Sequence, residues 1–152
     1  MNPFLCDFNH RMQAWKQCRQ QVQAESDCDA KLDACLQFWK QAPEESVRLD
    51  WDNCANWPQP WDLLYENSYC TSCHSLGIAY TLLLADPHMF GDLKLQLIWS
   101  KSHHIQKVVP RIQDVYLNVG WFDKVAVDKL NDCVVQDTWT WTEKKWQSVR
   151  PK

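Results

Sequence analysis

Apolar residues recur every three or four positions through the first forty residues: Met12, Trp15, Cys18 and Val22, then Leu32, Cys35, Leu36 and Trp39, with Lys, Arg and Gln between them. That period predicts two amphipathic helices. Between them, Ala24-Glu25-Ser26-Asp27 offers Ser26 or Asp27 as the cap of the second helix, and Pro43 ends it. So short a connection predicts an antiparallel pair, a helical hairpin over residues 1–42. Residues 43–69, PEESVRLDWDNCANWPQPWDLLYENSY, then form a Trp/Pro-rich connection. Pro58 and Pro60 hold its backbone extended and make Trp57 and Trp61 packing anchors, with residues 61–65 as a single helical turn. A third helix is predicted from about Tyr69 to Leu84, capped by Asn67 or Ser68. Leu76, Tyr80, Leu83 and Leu84 form its buried face, and Gly77 marks a place where another backbone comes close.

After residue 90 the period changes from helical to alternating. Leu93, Leu95, Leu97 and Trp99 alternate with Lys94, Gln96 and Ser100, which predicts a half-buried strand. A second strand is expected from about His104 to Val109. A third would place Val115, Leu117, Val119 and Trp121 on one face, with Tyr116 and Asn118 on the other. Short connections imply an antiparallel meander. Residues 125–130 and 137–146 carry weaker patterns, and TWTWTEKKW reads either as a strand or as an amphipathic tail. Helices first and strands afterwards predict an α+β fold, with residues 43–152 forming a core that packs with the hairpin into one domain.

Composition narrows the picture. At 152 residues, 45% hydrophobic, the chain is long enough to bury a core without staples. Ten tryptophans favour an aromatic-rich core or contact surface, and only three glycines argue against phosphate-binding glycine loops. The net charge of −3, with both signs interspersed, carries no footprint of a nucleic-acid binder. The opening MNPFLCDFNHRMQAWKQ lacks a basic segment followed by an apolar one, and the longest apolar run is too short to span a bilayer. The expectation is a soluble chain, not exported by the usual route and not a membrane partner. In a reducing compartment most of the eight cysteines are expected as free structural thiols, with Cys18, Cys28 and Cys35 serving as small hydrophobes on the helices.

The densest chemistry lies in Cys70-Thr71-Ser72-Cys73-His74. Its C-x-x-C-H pattern is that of covalent haem attachment, but the motif sits in a helix, and the expectation is no haem. Cys70 and Cys73 with His103 or His104, or with His74, have the ligand types of a zinc site, but no second C-x-x-C or H-x-x-x-H accompanies them, so no metal or other cofactor is expected. A redox dithiol of the thioredoxin type would follow a central strand, and no strand pattern precedes Cys70. A fourth reading is a thiolate nucleophile. Cys70 lies near a helix N-terminus, where the dipole and free amides favour the thiolate. His104 (or His103) begins a strand and Asn118 lies on the next, the order of a Cys–His–Asn triad with a base and its orienting group.

The segments WPQPWDLLYENSYC, LGIAYTLLLAD and VYLNVGW resemble small uncharacterised phage proteins with a transglutaminase-like core, of the papain-like cysteine protease superfamily. The resemblance spans about Trp57 to Trp121. It implies a Cys-bearing helix packed on an antiparallel sheet, with Cys70 as nucleophile, His104 as base and Asn118 as orienting group. Asn118 stands where transglutaminases more usually carry Asp, and the aromatic residue that often follows the histidine is replaced by Ile105 and Gln106. The implied role is a phage virion or assembly accessory protein on a scaffold without activity, located in the virion or host cytoplasm. Its partners would be other phage structural proteins or copies of itself. The alternative is an active cysteine hydrolase or acyltransferase.

Overall fold

The computed structural model describes residues 1–46, 49–102 and 104–149. Two helices, α1 (Phe8–Ala24) and α2 (Cys28–Trp39), form the expected hairpin. Each begins at an aspartate whose carboxylate takes an amide of the first turn: Asp7 accepts from His10 N at 2.9 Å, and Asp27, rather than Ser26, accepts from Ala30 N at 2.7 Å. Trp15, Cys18 and Val22 of α1 and Leu32, Cys35, Leu36 and Trp39 of α2 are buried, as their spacing requires. Two basic residues, Arg11 and Lys31, are buried with them because they cap carbonyls at helix ends. The Arg11 guanidinium donates to the Leu64 and Cys6 carbonyls at 2.6 and 2.9 Å, and Lys31 Nζ donates to those of Val22 and Gln23, both at 2.9 Å.

A short helix, α3 (Pro60–Glu66), starts with proline where no amide partner is needed and stops at Asn67, whose φ of 54° is left-handed. Asn67 therefore terminates one helix instead of capping the next. The cap of α4 (Thr71–Ala85) is Cys70. This helix is buried nearly all round, wider than the single apolar stripe expected, because the α1–α2 hairpin covers one side and the sheet the other. Gly77 is indeed a point of close approach, though to a side chain rather than a backbone. A Cβ there would lie 2.4 Å from the Trp39 ring. Trp15 and Trp39 both donate their indole N–H to Thr81 Oγ1, at 2.9 and 2.8 Å, and that hydroxyl donates to the Gly77 carbonyl at 2.8 Å.

After a single turn, α5 (Pro87–Phe90), the chain enters a six-stranded antiparallel sheet of order β4-β3-β2-β1-β5-β6. The strands are β1 (Lys94–Ser100), β2 (Ile105–Ile112), β3 (Val115–Leu117), β4 (Lys124–Ala126), β5 (Cys133–Thr142) and β6 (Lys145–Ser148). The fold is α+β, as expected. β1 is central rather than half-buried: Leu95 and Leu97 join the main core, while Ile98 packs with Val109, Tyr116, Val119 and Leu130 in a second cluster on the opposite face. β3 is shorter than its alternation suggests. Asn118 takes φ 62° and Phe122 φ 54°, so the chain turns back at residue 118 and Val119 and Trp121 leave the strand. TWTWTEKKW forms the β5–β6 hairpin, its turn residues Glu143 and Lys144 both at positive φ. One apolar core runs from Phe4 to Trp146, so hairpin and sheet share it. Among the described residues no helix is long and apolar enough to cross a membrane.

Candidate functional site

The N-terminus of α4 meets an open stretch of the sheet. β3 pairs with β2 only at Arg111 and Ile112, leaving the earlier part of β2 without a strand on that side. Pro110, which has no N–H to offer, falls in this stretch, and the Val108 N–H donates to Ser72 Oγ at 3.1 Å. The start of α4 is thereby fixed beside β2. The two bound a cleft of about 280 Å³ lined by Cys70, Thr71, Ser72 and Gln106, with Glu44, Leu49 and Trp51 from the Trp/Pro-rich connection.

Cys70 is extended (φ −87°, ψ 177°), and its sulfur sits over the first turn of the helix it caps. Cys73 N donates to Cys70 Sγ at 3.2 Å, and the two sulfurs share a thiol–thiol hydrogen bond at 3.1 Å. Amides of Leu49 and Ser72 add to this cradle. Hydrogen bonding from Cys73 dominates over burial and brings the Cys70 thiol from its ordinary 9.0 to about 6. Cys73, which gives the proton and is buried beside the Cys70 charge, is pushed well up. The contrast with Cys18 is direct: it lies in the α1 core with no such donors, and burial raises it to about 12. All eight cysteines are free.

Among the described residues, the side chains of Cys70, His104 and Asn118 share no hydrogen bond. His104 stands exposed in the β1–β2 turn at φ 53°, where the backbone carries it off the strand register. It does not line the cleft. The strand residue that does is Gln106, whose Nε2 donates to Gln136 Oε1 at 2.8 Å. His103 lies outside the described residues. Asn118 serves the fold: its Nδ2 donates to Ser75 Oγ at 3.1 Å and Thr71 O at 3.3 Å, and its Oδ1 accepts from Phe122 N at 3.1 Å. It pins the end of β3 to α4, and among the described residues it has no imidazole partner.

His74 completes C-x-x-C-H in sequence only. It is 1% exposed, near-parallel to the Tyr69 ring at 5.8 Å, with Nε2 3.0 Å from the Pro43 carbonyl, and burial lowers its pKa. Among the described residues no three His, Cys, Asp or Glu side chains converge as a metal site would need.

Two contributors have weak sequence signals. Lys107 is 7% exposed, donates to the Gly120 carbonyl at 3.3 Å, and is lowered by burial to about 8 against the opposing pull of Asp123, Glu44 and Cys70. A lysine in an alternating strand reads as solvent-facing, so nothing marks it. Cys73 is different: its position three residues after a helix-capping thiol is the signal, visible once Cys70 rather than Asn67 or Ser68 is taken as the cap. The chain matches no family model and no curated protein.

Proposed function

We propose that this chain is a phage virion or assembly accessory protein that works through surface contacts of its α+β scaffold and not through a Cys–His–Asn triad. The observation that carries this reading is the neighbourhood of Cys70, where the facing strand residue is an amide, Gln106, and the candidate base His104 points into solvent from a turn. Acyl transfer needs a base within hydrogen-bond reach to return the proton to the leaving group. The surface supplies a second support. Trp61 and Tyr65 on α3 are 50% and 67% exposed, and they stack edge-on against Trp15 and Phe8 of α1 at 5.3 and 5.2 Å. Arg19 lies over the Trp15 ring, 4.4 Å from its centroid. Rigid aromatics beside an arginine are the residue types enriched where proteins meet. The partners on this reading are other phage structural proteins or copies of the same chain.

The test is quantitative mass spectrometry of purified virions and of assembly intermediates from the encoding phage. A fixed copy number is expected, reduced in a Trp61→Ala/Tyr65→Ala variant whose melting temperature is little changed. Absence from both virions and intermediates overturns the reading.

A further inference from the structure

We propose that Cys70 and Cys73 form a thiol–disulfide exchange centre whose substrate is a disulfide of a small molecule or an extended peptide entering the cleft beside Trp51 and Gln106. This goes beyond the accessory role, because it assigns chemistry to a thiol that the accessory role leaves unused.

Three features of the site converge. The sulfurs are 3.1 Å apart, so closing the bond to the 2.03–2.05 Å of a disulfide needs about 1 Å of movement. The two thiols open to different sides: Cys70 lines the cleft beside Gln106, whereas Cys73 lines a cavity of about 230 Å³ with Trp57 and Leu63, and they are 9% and 6% exposed. A disulfide that enters the cleft beside Gln106 meets Cys70 and not Cys73. Third, the amides and the Cys73 thiol converge on one sulfur, which stabilises negative charge on Cys70 and keeps the proton on Cys73. No histidine is required by this chemistry, and among the described residues none lines the cleft. Cys70 is only 9% exposed, which favours small or extended substrates over a disulfide on a folded surface.

The steps balance as follows. The Cys70 thiolate attacks one sulfur of R–S–S–R′, forming Cys70–S–S–R and expelling R′–S⁻. With its charge consumed, Cys70 no longer holds the Cys73 proton in place, and the hydrogen bond that most raises Cys73 is lost. Cys73 gives that proton to R′–S⁻, and its sulfur attacks Cys70 Sγ. The Cys70–Cys73 disulfide forms and R–S⁻ leaves, taking a proton from water. The protein dithiol is oxidised by two electrons and the substrate disulfide is reduced by two; the reverse sequence delivers a disulfide to a dithiol.

The experiment uses native reduced full-length protein and 5,5′-dithiobis(2-nitrobenzoate) as the probe disulfide, with stopped-flow absorbance and peptide mass mapping. For the wild type, the fast phase should release two equivalents of thionitrobenzoate and leave a Cys70–Cys73 disulfide with no adduct on either residue. Cys73→Ser should release one equivalent in that phase and retain the adduct on Cys70, while Cys70→Ser should lose the phase. The wild-type map decides alone if a variant fails to fold. A fast phase that ends with probe still on Cys70, or that reacts elsewhere and leaves Cys70 and Cys73 as thiols, overturns the proposal. Neither outcome bears on the copy number in virions, so the two readings fail separately.

Discussion

Replacing Gly77 with alanine should destabilise the protein by about 2 kcal/mol, although the same change in an unencumbered helix stabilises it by roughly 0.5–1 kcal/mol. The added Cβ would stand 2.4, 2.5 and 2.6 Å from three atoms of the six-membered ring of Trp39, where ordinary contact is 3.4–4 Å. The indole has to retreat by about 1 Å, which is hard in a close-packed interior. Trp39 is fully buried, with Phe4 and Tyr69 at 5.4 and 5.5 Å and its N–H bonded to Thr81. Overpacking of this kind costs about 1–3 kcal/mol and sometimes more, which outweighs the propensity gain. With a urea m-value of about 2 kcal/mol/M, the midpoint should fall by roughly 1 M, and the melting temperature by about 4–8 °C. Urea unfolding followed by tryptophan fluorescence measures it. In a Trp39→Phe background, which removes the obstructing ring, Gly77→Ala should cost much less, so the double-mutant cycle shows a favourable coupling. A Gly77→Ala protein as stable as wild type, or a cycle with no coupling, would refute the packing argument.

Alkylation of Cys70 by iodoacetamide, followed by peptide mapping, should rise with pH through a midpoint near 6. Cys73→Ala should move that midpoint upward, and His104→Ala should leave it in place. Because the folded value is depressed, the stability this thiolate confers is fully present above pH 9 and is lost as pH falls through about 6. Thr81→Val keeps the shape but strands the indole N–H groups of Trp15 and Trp39, and should cost about 2–4 kcal/mol in urea unfolding. Asn118→Ala removes the bonds to Thr71, Ser75 and Phe122 and forces alanine to positive φ; Asn118→Gly should be less damaging by about 1 kcal/mol, since only the second penalty is relieved. His74 is held below its ordinary 6.5 by burial, so its contribution is present above that pH and lost as pH falls through its folded value. His74→Phe should flatten the fall of stability on acidification below pH 6.5, read as a smaller loss of the urea midpoint than the wild type shows.

Periodicity was a good guide where one face of an element is buried and a poor one where both are. The α1–α2 hairpin was legible because Trp15, Cys18, Leu32 and Trp39 all lie on one side of their helices. β1 was legible as a strand but not as a central one, because Gln96 and Ser100 are buried polar residues whose partners come from β3 and the segment after β4. β3 was overextended, since alternation continues through Val119 and Trp121 while the backbone inverts at Asn118, and asparagine tolerates that inversion without advertising it. At the site, the helix-terminal thiol was readable from C-x-x-C beside an apolar run. The histidine was not placeable, because a left-handed turn at residue 104 removes it from the parity on which strand-face reasoning depends.

The enclosure of α4 has a consequence for synthesis on the ribosome. The hairpin emerges first with its apolar face open, and the helix that fills it is made some thirty residues after α2 ends. That helix in turn exposes its far side until β1 and β2 arrive, and the Trp146 ring that closes over Tyr80 comes some sixty residues after α4 ends. A nascent chain therefore carries uncovered tryptophan surface while the hundred or so residues between α2 and β6 are being made. Chaperone engagement should be highest on ribosome-bound chains in which α1 and α2 have emerged and β6 has not, and lower once β6 is out.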